Sequence, residues 1–138
     1  MIVDSSAVLS LFFKENFSDF VRRKVEEADE VRALDLAYYE VANAIRKRVA
    51  RGEIDETDAT KVFEKAVELL SSFETVKVEG VIKGAFDLAL KLGLTVYDAA
   101  LIAAAMSLND LVLTVDVKLL RGVTGTEAET YFVRLPDI

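Results

Sequence analysis

Leu111-Val112-Leu113-Thr114-Val115-Asp116 is the stretch whose reading decides the fold. Apolar and β-branched residues fill its first five positions and a carboxylate ends it, the pattern of a short strand covered on both faces. Met1-Ile2-Val3-Asp4 repeats the pattern in miniature. Weaker strands are expected at 30–34, 75–78 and 131–135. Helical spacing fills the intervals. Ser5 and Ser6 offer capping hydroxyls to an apolar helix over 7–13, and further helices are expected at about 18–28 and about 36–51, where Gly52 closes the latter. Asp55 or Thr57 opens the next, with Val62, Ala66, Leu69 and Leu70 on one face. Val81, Ala85, Leu88 and Leu92 mark another, ended by Gly93, and an Ala-rich helix is expected over 99–108. Strands alternating with helices predict an α/β fold, a three-layer sandwich with a central, mostly parallel sheet flanked by helices.

Composition limits the chemistry. The 138 residues suit one domain spanning 1–138, and 52% apolar with 30% charged residues suits a folded protein. The longest apolar run, Ala99 to Met106, is far shorter than a bilayer span. The start lacks a basic leader and meets Asp4 at once, so a cytoplasmic location is expected and no membrane partner. One Pro and six Gly leave no linker. There is no Cys and no His, which excludes thiol nucleophiles, zinc thiolates and His-based triads. Catalysis would fall to carboxylates, hydroxyls, Lys or Arg, with a hard cation to assist. Gln is absent and Asn rare, which together with abundant Glu, Lys and Arg hints at a thermophile. The net charge of −7 opposes nonspecific nucleic-acid binding overall, although a local basic strip is compatible with it.

Four carboxylates stand out. Asp4 and Asp116 each end an apolar strand and belong at the sheet edge where α/β proteins bind ligands. Asp98 lies where the segment 94–97 turns into the Ala-rich helix. Glu40 sits inside a helix between Tyr39 and Val41, where a carboxylate needs solvent, a partner or a cation. Each has a plainer reading: Asp4 and Asp98 as helix caps, Asp116 as a turn residue, Glu40 as a partner of Arg46 or Lys47. Together, four acids at one edge repel one another unless a cation such as Mg²⁺ or Mn²⁺ relieves them.

These residues resemble the PIN domain family, and its VapC-type toxin ribonucleases in particular. The resemblance lies in Met1-Ile2-Val3-Asp4-Ser5-Ser6-Ala7-Val8-Leu9, in 39–46 around Glu40, in 96–105 around Asp98 and in 113–120 around Asp116. It implies a PIN-like sandwich and a Mg²⁺- or Mn²⁺-dependent endoribonuclease in which Asp4, Glu40, Asp98 and Asp116 bind metal. It further implies RNA as substrate, a small antitoxin as partner, and a homodimer. Ser5, Ser6, Asn43 and Thr114 become candidates to support the acids or the substrate, with core packing or plain exposure the simpler role for each. Arg46, Lys47, Arg48 and Arg51 become candidates for RNA phosphates, or simply residues that suit a helix C-terminus. Leu11, Phe12, Phe13, Phe17 and Phe20 crowd two neighbouring helices, as core or as an interface.

Two rival functions keep the fold: a housekeeping RNA-processing nuclease without antitoxin, and a binding scaffold that no longer cleaves. Retention of all four acids argues against the scaffold. Phosphate-binding glycine loops are excluded because no Gly occurs over 5–11. A phosphoaspartate phosphatase would need a second Asp where Ser6 stands, and a receiver domain an acidic pair after the first strand.

Overall fold

Strand β1 (Ile2–Val3) lies inside the sheet, in parallel register with β2 (Arg32–Leu34) on one side and β4 (Val112–Leu113) on the other. Strand β3 (Glu74–Val76) pairs in parallel with β2, so the order is β3-β2-β1-β4. The protein is described here by a computed structural model covering residues 1–136. Among these residues the sheet is wholly parallel. Seven helices accompany it: α1 (Ser5–Ser10), α2 (Ser18–Glu27), α3 (Leu36–Ala50), α4 (Glu56–Ser72), α5 (Ile82–Leu92), α6 (Val96–Leu108) and α7 (Val117–Val123).

The two-residue period of the strands sorts the core into two halves. Ile2, Leu34 and Val112 face one side and pack with α5, α6, and Leu119 and Val123 of α7. Val3, Ala33 and Leu113 face the other and pack with Ala7 and Val8 of α1, Val21 of α2, and the inner faces of α3 and α4. This is the expected three-layer sandwich. Helix α6 is buried continuously from Ala99 to Ala105 and has no polar face. Its small side chains let α5 approach closely, and a Cβ added at Gly84 would stand 3.6 Å from that of Ala103. No single described helix is long and apolar enough to cross a membrane.

Caps explain where boundaries differ from expectation. Helix α1 starts at Ser5 because Asp4, rather than Ser5 or Ser6, accepts from the first free backbone N–H, that of Ser5. Thr95 caps α6 by accepting from the Asp98 N–H at 3.1 Å, so the helix opens at Val96 and Asp98 lies in its first turn. Asp116 accepts from Leu119 N–H and opens α7, a helix that periodicity did not reveal. Strand β4 therefore keeps only two of its six expected residues. Strand β3 ends at Val76 rather than 78, because the Val78 N–H turns to Asp35 Oδ1 at 2.9 Å. The strand expected at 131–135 is reduced to one bridge between Phe132 and Val112, since a 3₁₀ turn occupies Glu129–Tyr131.

Leu11, Phe12, Phe13, Phe17 and Phe20 are half-buried against the α1–α4 side of the core. Core use accounts for most of their surface. Phe13 also carries the Arg48 guanidinium 3.9 Å above its ring.

Candidate active site

The order β3-β2-β1-β4 means that the chain builds outward from β1 on one side, then returns to place β4 on the other. Such a reversal leaves a crevice beyond the C-terminal ends of the central strands. Asp4 follows β1 and Asp116 follows β4, so these two border it. Helix α3 leaves this edge after β2, and α6, which leads back to β4, begins here too. The second turn of α3 brings in Glu40 and the first turn of α6 brings in Asp98.

Asp4 is the fixed point. Only 8% of it is exposed. Its Oδ2 accepts from Thr114 Oγ1 at 2.7 Å and Ser6 Oγ at 2.9 Å, while Oδ1 accepts from Ser5 N at 2.7 Å. Ser6 and Thr114 hydroxyls lie 3.1 Å apart, and each also accepts a backbone N–H, from Val115 and Asp116 respectively. Thr114 therefore supports Asp4 as well as Asp116. Of the other supporting candidates, Ser5 holds Asp4 and lies close enough to Glu40 to lower its pKa slightly. Asn43 accepts from Arg46 Nε at 3.0 Å on the exposed part of α3.

The acids act on one another. Burial lifts Asp4 above the usual carboxylate range against the pull of its three hydrogen-bond donors, and the Asp116 charge adds to the rise. Burial also raises Asp98, followed by the charges of Asp4 and Asp116, with Thr95 and Lys118 opposing. Glu40 is pushed up to about 7 by burial and then by the charges of Asp4 and Asp98. No ion pair to Glu40 occurs among the described residues, so the expected alternative of a pair with Arg46 or Lys47 is not formed. At the opposite edge the acids are answered: Arg32 reaches Asp110 at 2.7 Å, Glu30 at 2.9 Å and Glu74 at 3.3 Å.

Among the described residues no three carboxylates are drawn together tightly enough to hold a cation as they stand. The donor set nevertheless fits one. It is all oxygen, it carries more negative charge than its neighbours offset, and Mg²⁺ or Mn²⁺ prefers such ligands. Charge neutralisation by a cation would remove the repulsion that keeps the carboxylates apart.

The sequence profile of the PIN domain matches residues 1–123. The chain belongs to the PIN domain family. It is 40% identical over 119 residues to Ribonuclease VapC3 of Pyrobaculum aerophilum, covering 86% of this chain and 91% of that one. It is also 27% identical over 135 residues to Exonuclease VapC9 of the same organism, covering 97% and 94%. Among solved structures, PAE2754 from Pyrobaculum aerophilum superposes with a TM-score of 0.64 at 27% identity, over 91% of this chain and 80% of that one. A toxin–antitoxin complex from Klebsiella pneumoniae superposes at 0.71 with 16% identity, over 99% and 98%, and shares the fold.

In this PIN domain the basic strip of α3 divides. Arg48 is taken up by Glu15 at 2.9 Å, by Glu53 and by the Phe13 ring, and Arg46 by Asn43. Lys47 and Arg51 are exposed. Seven and eleven residues after Glu40, they project within about 20° of its direction on an ideal helix, where Arg46 points about 120° away. Three further residues, on the elements that carry the acids, were passed over by sequence reasoning. Lys118 is exposed and acts on Asp98, and Tyr39 and Tyr97, each one residue before a site acid, are 79% and 62% exposed. An aromatic residue next to each of two acids was a readable signal; the exposure was not.

The raised pKa of Glu40 has a definite sign in stability. Between its ordinary value near 4.5 and about 7 the folded chain holds a proton that the unfolded chain has released, so stability falls as pH rises through that window. In EDTA, Glu40→Gln is expected to be more stable than wild type at pH 7.5 by about 1 kcal/mol, solvent screening having reduced the full effect of the shift. The gap should close near pH 4.5. Urea denaturation at the two pH values checks it, and equal stability at pH 7.5 would mean that folding does not raise the Glu40 pKa.

Proposed function

We propose that this PIN domain is a Mg²⁺- or Mn²⁺-dependent endoribonuclease and the toxin of a type II toxin–antitoxin module. The observation that carries the reading is the set of four mutually repelling acids at the switch point of the sheet. Asp4, Glu40, Asp98 and Asp116 are the residues that would hold the cation. When bound, the cation supplies an activated water and offsets charge on the scissile phosphate. The chain's own part is to hold the acids in place: Thr114 and Ser6 lock Asp4, Thr95 seats Asp98 in the first turn of α6, and α7 hangs from Asp116. Glu40 has to give up its proton on loading, so cation affinity rises with pH across neutrality. A scaffold would retain this repulsion with nothing to gain from it. The likeness to Ribonuclease VapC3 supports RNA as the substrate.

Cleavage of mixed single-stranded and structured RNA in Mg²⁺, Mn²⁺ or EDTA tests the reading. Wild type is expected to cut only with metal. Asp4→Asn and Asp98→Asn should lose about a hundredfold or more in rate while remaining folded, a loss of the size that removal of one charge-stabilising group causes. Undiminished cutting by both variants overturns the roles. A small antitoxin is the partner that the VapC resemblance implies. Growth arrest on expression, relieved by a short neighbouring reading frame, separates the toxin from a housekeeping nuclease.

Lys47 and Arg51 continue the Glu40 face of α3 and are the basic residues best placed for RNA phosphates. Lys47→Ala with Arg51→Ala is expected to lower the slope of log affinity against log salt by about two, and Arg46→Ala to leave it nearly unchanged. An unaltered slope in the double variant would return the pair to the role of balancing the helix C-terminus.

The homodimer that the resemblance implies has a surface available on α5. Ile82, Phe86 and Leu90 follow one another by a helical turn and are each at least half exposed, at 51%, 54% and 71%. A contiguous apolar stripe of this kind suits a two-fold contact with its own copy. Phe86→Asp is expected to halve the solution mass measured by light scattering if this stripe is the contact. A wild type that already runs as a monomer defeats the proposal.

A further inference from the structure

The two most exposed aromatic side chains among the described residues are Tyr39, at 79%, and Tyr97, at 62%. Each directly precedes a site acid, so its Cα lies about 3.8 Å from that of Glu40 or Asp98. Tyr39 is carried by the start of α3 and Tyr97 by the start of α6, and both helices begin at the edge that holds the acids. These rings do no packing work that matches their size: a tyrosine in a helix normally lays most of its ring on apolar neighbours. Lys118, exposed on the first turn of α7 and acting on Asp98, adds a cation to the same rim.

We infer that Tyr39 and Tyr97 are base-stacking platforms that hold unpaired nucleotides on either side of the acid site, with Lys118 on an intervening phosphate. The inference rests on the nuclease reading and deepens it by naming how the substrate is gripped. The physical grounds are these. A strand whose phosphate must come down among carboxylates gains nothing from the acids until a cation is present, so affinity has to come from elsewhere. Aromatic faces supply it without charge, because every base has a π-face and stacks on tyrosine. Paired bases present only their edges, so the platforms select single strands, loops and ends over duplex.

The test is RNA binding read without turnover. Full-length protein in Ca²⁺, whose looser coordination suits binding more than catalysis, is titrated by anisotropy into a labelled 12-nucleotide single strand, its duplex and an abasic strand of equal length. Wild type is expected to prefer the single strand to both others. Tyr39→Ser and Tyr97→Ser should each weaken single-strand binding about tenfold and leave the abasic strand unaffected, and Tyr→Phe should restore it at either position. In Mn²⁺ the same serine variants should raise KM more than they lower kcat. As the chain has no Trp, Tyr97→Trp adds a unique fluorophore whose emission should be quenched by the single strand and not by the abasic one. Circular dichroism establishes that the variants fold, as expected for exposed positions.

Serine variants that bind the single strand as tightly as wild type overturn the platforms and leave the nuclease reading standing. A change of solution mass in those variants with RNA affinity intact assigns the rings to a protein contact and equally overturns the proposal. A wild type that neither binds nor cuts any RNA removes both readings together.

Discussion

Asp4 is buried, and its carboxylate is held by hydroxyls from two distant parts of the chain, Ser6 on α1 and Thr114 at the end of β4. Much else depends on this contact. An ionised group kept out of water has to be fully hydrogen-bonded, and losing a partner leaves it stranded at a cost of about 1–3 kcal/mol or more. The Thr114 donor therefore ties the end of the first strand to that of the fourth across 110 positions of sequence, at the level of the site. The same Thr114 hydroxyl accepts from Asp116 N–H, and Asp116 in turn caps α7. A single run of hydrogen bonds thus connects β1, β4, α1 and α7, and the remaining acids are arranged around it.

The two edges of the sheet treat charge in opposite ways. At the N-terminal edge, Arg32 gathers Glu30, Glu74 and Asp110. Burial works to raise Asp110, yet the N-terminal ammonium, the Leu111 N–H and Arg32 outweigh it and hold it below its ordinary value. At the C-terminal edge, burial and mutual repulsion lift Asp4, Asp98 and Glu40, and Lys118 opposes the rise of Asp98. Acids are compensated where they hold the sheet together and left uncompensated around Asp4. Such an arrangement lowers stability in order to keep a site charged, a common feature of functional sites.

Helix α6 makes that geometry possible. Seven consecutive small or apolar residues from Ala99 to Ala105 let it run buried between the sheet and α5, so its polar first turn emerges at the active edge. The exposed apolar residues of α5 then lie outermost on that side of the sandwich. Packing by alanines is unforgiving: close approach of backbones leaves little room for larger side chains, so the position of Asp98 is set by the core rather than by a loop.

The sequence by itself determined the fold class and strands β1 and β4, and singled out four acids, because these depend on local signals. A two-residue apolar run ended by Asp, a helical period and a carboxylate inside an apolar context can all be read along the chain. Caps were only partly legible, because Asp4, Thr95 and Asp116 compete with neighbours for the same free N–H groups, and folding selects among them. That is why α7 went unseen and β4 was expected to be three times its length. The tertiary structure alone decided that β4 lies beside β1, which brings Thr114 to Asp4. It alone gave Arg46 and Arg48 side-chain partners, Asn43 for the first and Glu15 with Glu53 for the second, while pairing neither Lys47 nor Arg51 among the described residues. It also left Tyr39 and Tyr97 exposed beside the acids. Exposure and long-range pairing arise from how helices pack on a sheet, and no window of sequence contains that information.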